Sequence, residues 1–545
     1  MLCARQTVQA AGIHSVELIL LLVMILVVSL AALAKRLETP YPIIMVIGGL
    51  IISFIPHVPK IALNPDMVFL VILPPLLFSA AYVTSWRAFR FNLVSISMLA
   101  FGLVGFTVAG VAAAAHWLLP GFSWRSGLVL GAVVSTTDAI AASSIAQRLG
   151  LPKRIMDILD GESLVNDASG LLALEYATAL VVSGTTPGFA QGAFQLIYLV
   201  FGSIAIGLAG GKLIRIIETH IEDAAIEITL SLIAPYFAYL AGESAHASGV
   251  LATVACGMYL GHNSSLYLST GARLTGEAVW KTLTFILNGF VFVLIGFQLP
   301  YLLPVIRLAG LGRMVRYGLL LSIVLIALRM VWMYPGAEVA YQIRKKLLEQ
   351  EDVSRADPRA IFIVGWTGMR GVVALAAAIA LPEVLENGRP FPHREVMLFL
   401  TFCVIFVTLV LQGLTLAPLI RKLGLAGGGG KDLAEGQARR AMIDATLAYL
   451  EHSRESDAPH FATLYDEMIR FQHRRRELLE LDGEGDDSAL PHQERYRELL
   501  SQVRGVQRAT ILHMRNLGEI DDEVMRRLER ELDLVEERFS SAGAV

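Results

Sequence analysis

The decapeptide GESLVNDASG, residues 161–170, puts two carboxylates, an amide and two hydroxyls into a run otherwise made of Leu, Ala, Val and Ile. Residues four apart share a helix face, so Glu162 stacks on Asn166 and Ser163 on Asp167 in a polar stripe about two turns long. An ionisable residue at the centre of a membrane helix costs about 2.5–3.5 kcal/mol, which marks it as a candidate functional group. Ser and Asn alone can serve as glue between helices. Two acids beside them offer the several oxygens with which a partly dehydrated alkali cation replaces its lost water.

Two further segments break apolar helices. STTDAIAASS carries Thr136, Thr137 and Asp138; a threonine can back-bond to its own helix, but a mid-span aspartate has no such outlet. GWTGMRGVVALAAAIALP sets Arg370 among Gly365, Gly368 and Gly371, and a glycine-interrupted apolar segment points to a discontinuous helix with free backbone groups. A lone buried arginine would repel cations, so Arg370 needs a carboxylate. Glu162 and Asp138 are both available; pairing with Glu162 leaves Asp167 free to exchange its load, and a structural ion pair Glu162–Arg370 is the expectation.

These groups must be held by a membrane domain. The chain has 545 residues, 55% hydrophobic and 17% charged, a profile that excludes an ordinary soluble enzyme. Spans of roughly 20 mostly apolar residues number about thirteen. The fifth, Gly127 to Ala146, the sixth, Ile155 to Val182, and the twelfth, Ala360 to Leu381, hold the polar clusters. Only Arg5 precedes the apolar run beginning near Val16, which reads as a retained first span rather than a cleaved signal. An odd number of spans puts the termini on opposite sides. With the N-terminus outside, connections bearing Arg148, Lys153, Arg154, Arg344, Lys345 and Lys346 fall in the cytoplasm, as the positive-inside rule requires. The two interrupted spans occupy matching places in two six-span halves, the signature of inverted repeats around a midplane site.

After the glycine linker at 424–431 the composition changes: residues 431–545 hold 17 Lys+Arg and 25 Asp+Glu. The expected organisation is an all-α polytopic membrane domain, residues 1–425, with two inverted six-helix repeats and discontinuous crossing helices, followed by a cytoplasmic helical tail, residues 426–545. GEIDDEVMRRLERELDLVEERF in the tail has apolar residues at helical spacing, and LDGEGDDSALP, 481–491, reads as a flexible acidic break. The three cysteines, Cys3, Cys256 and Cys403, are far apart, which argues against a zinc site or a disulfide framework. Glu175 is read as facing an external funnel or an interface. Arg329 and Glu227 are read as snorkelling or helix-pairing charges, His246 as an ordinary loop histidine, and Arg474 to Arg476 as a solvated face.

At these residues the sequence resembles the monovalent cation/proton antiporter-1 family, the NhaP-type and animal-type sodium/proton exchangers, and in particular its bacterial branch. TDAIAASSIAQRLGLP is similar to the family's Thr-Asp segment, GESLVNDASG to its Asn-Asp motif and GMRGVVALAAAIALP to its arginine-containing twelfth helix. LPPLLFSAAY, LNGFVFVLIGFQL and VTLVLQGLTLAPLIRKLGL also resemble family segments. The resemblance implies Na+ bound at Asp167 with oxygens from Ser163 and Thr137, Asn166 supporting the site, Glu162 paired with Arg370, and Asp138 at the crossing of the broken helices. It further implies a homodimer in a bacterial inner membrane, an elevator-type motion and no cofactor. Ala139 stands where the family usually has Pro. The reading is antiport of Na+, or Li+ or K+, against H+, with one proton per cation. Its partners are monovalent cations, protons and lipid, with no nucleic acid. A cation channel and a membrane-anchored sensor are the alternatives; no phosphate-binding loop that would couple the chain to ATP is present.

Overall fold

The computed structural model describes residues 20–483, apart from 57–63, 183–188, 304–309, 351–353, 386–387, 428–429 and 457–460, together with short stretches between 502 and 532. The chain divides into two compact units, Met1–Gly427 and Gly428–Val545. The first unit is helical: α1 (20–36), α2 (Tyr41–Ser53), α3 (Met67–Val83) and α4 (Trp86–Leu118). There follow α5 (Trp124–Val133), α6 (Ile140–Arg148), α7 (Lys153–Val182), α8 (Phe189–Glu218) and α9 (Ala224–Ser244). The rest are α10 (Gly249–Tyr267), α11 (Thr270–Phe297), α12 (Leu311–Leu347), α13 (Pro358–Trp366), α14 (Val372–Ile379) and α15 (Arg394–Lys422).

Among the described residues six helices are long and apolar enough to cross a membrane by themselves, and α2 and α3 are shorter apolar helices. Starts are set locally. Ser85, Ser248 and Ser269 accept the backbone N–H three residues on, and Asp357 caps α13 with Pro358 at its first position, where a missing N–H costs nothing. The fifth and twelfth spans of the sequence reading are each two helices, α5/α6 and α13/α14, separated by the non-helical residues 134–139 and 367–371.

Among the described residues four helices contain π-turns, α12 at its end, Ile343–Leu347. The one at Met67–Ile72 precedes Pro74 and Pro75, which cannot donate to the ladder. Those at Met98–Leu103 and Thr408–Gln412 lie against the broken helices and their neighbours: the Ser169 hydroxyl of α7 donates to Ala100 O, and Thr408 Oγ1 accepts from Arg370 N at 3.2 Å. A side chain that competes for a helical carbonyl widens the turn. The apolar core surrounds the breaks, with Met369, Ala374, Leu375, Val293 and Phe292 buried. Phe194, Phe201, Ile233 and Ile323 are exposed on the outside, the surface a lipid-facing helix presents.

The second unit contains α16 (Gly430–Ser456) and α17 (Ala462–Gly483). Ile443, Leu447 and Leu450, at helical spacing, are buried, and Arg454 lies 3.0 Å from Asp466 across the pair. Most of GEIDDEVMRRLERELDLVEERF, and 481–491 beyond Gly483, lie outside the described residues.

Helices α8 and α10 approach so closely that a Cβ on Gly207 would lie 2.2 Å from Ala252 O. Gly207→Ala would gain about 1 kcal/mol from helix propensity alone. The contact reverses the sign, and a lowered thermal denaturation midpoint in detergent is the expected result.

Candidate cation site

The two chain breaks cross. Asp138 N donates to Met369 O at 2.7 Å, so one backbone bond ties the α5/α6 break to the α13/α14 break. Each break leaves unpaired carbonyls at one helix end and unpaired N–H groups at another, and in a membrane no water is available to satisfy them. Two arginines take the carbonyl ends. Arg370 donates through Nε to Val134 O, past the end of α5, at 3.0 Å, and through Nη1 to Gly368 O. Arg329 of α12 donates to Gly365 O at 3.1 Å and Val364 O at 3.0 Å, in the last turn of α13. A cation at a helix C-terminus also offsets the negative end of its dipole.

Asp138 takes the other ends. Its Oδ1 accepts from Ile140 N at 2.8 Å, at the start of α6. A Cβ on Gly371, at the start of α14, would stand 2.3 Å from Asp138 Oδ2, so only glycine permits this approach. One carboxylate therefore caps the start of α6 and lies against the start of α14.

Glu162 is paired with Arg329, not with Arg370. Arg329 Nη1 lies 2.5 Å from Glu162 Oε1 and Nη2 lies 2.8 Å from Oε2, with both residues almost wholly buried. The expectation of a Glu162–Arg370 pair is corrected by geometry: the Arg370 guanidinium is spent on carbonyls at the breaks, while Arg329 reaches the carboxylate as a two-pronged fork. Sequence spacing cannot tell which of two buried arginines reaches an acid on a third helix. The sequence does carry a signal for Arg329, an arginine inside the apolar segment LIALRMVWMYP.

A hydrogen-bonded chain runs on from this pair. The Thr137 hydroxyl donates to Glu162 Oε1 at 3.1 Å and accepts from Asn166 Nδ2. Ser163 Oγ donates to Thr137 O at 3.3 Å and accepts from Ala139 N at 3.4 Å. Of the residues singled out in the sequence, Thr137, Glu162, Ser163 and Asn166 thus form one network, with Asp138 at the crossing beside it. Asp167 stands apart. It is 6% exposed, and its carboxylate has no hydrogen-bond or ion-pair partner among the described residues.

Asp167 lines a cavity of about 330 Å³ together with Asp138, Thr137 and Ser163. One wall, from α6 and α7, is polar; the facing wall, from α3, is Leu73, Leu76, Leu77, Ala80 and Val83. Asn288 and Phe292 of α11 also contribute, neither of which the sequence reading singled out. The cavity extends to Gln147, exposed near the end of α6. Glu175 is exposed and absent from the lining. Glu227 is fully buried and accepts from Ser269 N at 2.9 Å, tying α9 to the start of α11.

Interrupted helices crossing beside buried carboxylates, within a bundle of apolar helices, define a secondary carrier of the membrane. The family pattern described as "Sodium/hydrogen exchanger, transmembrane" matches residues 22–422, and the chain belongs to that family of monovalent cation/proton antiporters, which are transporters rather than enzymes. It is 31% identical over 546 residues to an uncharacterized Na+/H+ exchanger of Mycobacterium tuberculosis, covering 98% of both chains. It is also 31% identical over 428 residues to a sodium, potassium, lithium and rubidium/H+ antiporter of Bacillus pumilus, covering 77% of this chain and 63% of that one. The solved structure of the sodium proton antiporter MjNhaP1 from Methanocaldococcus jannaschii shares the fold, with a TM-score of 0.58 and 19% identity over 74% of this chain and 97% of that one.

Removing one partner of a buried ion pair costs about 3–5 kcal/mol. Glu162→Gln and Arg329→Met are each expected to lower the denaturation midpoint in detergent strongly, and the double variant to lose less than the sum. The same cycle with Arg370→Met should show weaker coupling to Glu162.

Proposed function

We propose that the protein exchanges one Na+ for one H+ across a bacterial inner membrane, with Asp167 as the group that holds either ion but not both. The observation that carries this is the contrast between the two acids of GESLVNDASG. Glu162 is neutralised by Arg329, while Asp167 lies in the cavity without a partner among the described residues. Ser163, and Thr137 through its hydroxyl's remaining lone pair, supply neutral oxygens for the cation; Asn166 holds Thr137 in place, and Asp138 contributes negative charge at the crossing. Li+ and K+ are alternative cargo, as the name of the Bacillus pumilus antiporter suggests.

The motion is proposed to be an elevator. The bonds from Asp138 N to Met369 O and from Arg370 Nε to Val134 O join the two breaks, and the polar cavity wall meets the apolar wall of α3, whose side chains offer no hydrogen bonds to break on sliding. The cavity reaches the end at which α6 finishes with Arg148 and α7 begins with Lys153 and Arg154; by the positive-inside rule this is the cytoplasmic side. Thirteen spans with the N-terminus outside, inverted repeats, a separate tail in the cytoplasm and a homodimer complete the proposed architecture.

Asp167→Asn is expected to abolish Na+-dependent dissipation of ΔpH in everted vesicles while the protein still folds, since an amide neither releases a proton nor offers a full charge. Retained exchange in that variant would remove Asp167 from its role.

With Glu162 locked to Arg329, only Asp167 changes its load and no net charge crosses. A membrane potential is worth about 2.3 kcal/mol per charge per 100 mV. Reconstituted exchange is therefore expected to reach the same end-point when valinomycin and K+ clamp the potential at different values; a shift would mean a second titrating group, with Asp138 the first candidate.

A further inference from the structure

The cavity face of α7 carries a second carboxylate that the exchange cycle above does not use. Asp160 lies seven residues before Asp167, about two turns and about 10 Å along the same helix face. Both line the cavity, and so does Ser163 between them. From α6, the Ser143 hydroxyl donates to Asp160 Oδ1 at 2.7 Å, and Ser144 and Gln147 line the same wall. Asp160 Oδ2 has no partner among the described residues, and Asp160 makes no ion pair there. The charge that acts on it is Asp157, another acid, about one turn back on α7. The charged residues that line the cavity, Asp138, Asp160 and Asp167, are all acids, and negative clefts with apolar walls concentrate cations.

A hydrogen bond that merely joined α6 to α7 would need an acceptor for Ser143, and an amide would supply one. A carboxylate adds charge, and charge at the mouth of a cation pathway attracts the cargo.

We propose that Asp160 and Ser143, with the Gln147 amide oxygen beside them, form an entry station that holds a partly hydrated monovalent cation before it moves past Ser163 to Asp167. The station rests on the antiport reading and adds a second binding step to it. Ser143 rotates its hydroxyl proton away so that its lone pair and both Asp160 oxygens meet the ion. Its spacing from Asp167 lets the station fill while Asp167 still carries a proton.

The test is Asp160→Asn, which keeps the acceptor for Ser143 and removes the charge. Na+-driven ΔpH dissipation is measured in everted vesicles, where the cytoplasmic side faces the added Na+. A unit charge near 4 Å in a water-filled cavity is worth about 1 kcal/mol, so the apparent KM for Na+ is expected to rise roughly fivefold. Maximal rate and thermal midpoint are expected to be retained, and Asp160→Glu to restore the KM. An unchanged KM in Asp160→Asn overturns the station. So does a raised KM accompanied by a lowered midpoint and a lost maximal rate, which would mark Asp160 as a packing residue. Wild-type vesicles without Na+-driven ΔpH dissipation would instead overturn the antiport reading, so the two failures are distinct.

Discussion

Two helices cut in the interior of a membrane domain cross where Asp138 N donates to Met369 O and Arg370 Nε to Val134 O. Everything else around the site follows from the need to satisfy the cut ends where there is no water. Carbonyl ends demand cations, and Arg370 and Arg329 supply them. N–H ends demand an anion, and the Asp138 carboxylate sits between the starts of α6 and α14. Charges that look functional in the sequence are therefore partly structural, required by the breaks themselves.

That requirement sorts the acids. Arg329 reaches Glu162 while capping α13, and so fixes one carboxylate in the same act that stabilises the break. Thr137 and Asn166 extend the fixed network. Asp167 is left outside it and faces the cavity. A carrier needs such a division, because a carboxylate already locked in an ion pair cannot trade a proton for a cation, and an unpaired one can.

Much of this was legible in residue types. Carboxylates, an amide and hydroxyls in apolar runs identified α7 and the α5/α6 break. Glycines around Arg370 identified the α13/α14 break, because glycine weakens a helix wherever it stands. The partner of Glu162 was not legible. Arg370 and Arg329 are both buried arginines in apolar segments, and which one reaches the acid depends on where α12 packs. Asn288, Phe292 and the apolar wall of α3 were likewise hidden, since their relevance lies only in what they face. Asp160, near the start of the sixth span, carried no sequence signal beyond its type.

The sequence by itself determined that the chain is a helical membrane protein, where its helices break and which residues bear charge inside it. Hydropathy, glycine and buried acids are properties of a segment and its solvent. Only the tertiary structure decided which charges cancel: that Arg329 closes on Glu162, that Arg370 spends itself on carbonyls and that Asp167 stays open to the cavity. Pairing is a matter of distances between helices far apart in the chain, and a few ångströms decide whether a buried carboxylate is locked by an arginine or free to bind an ion.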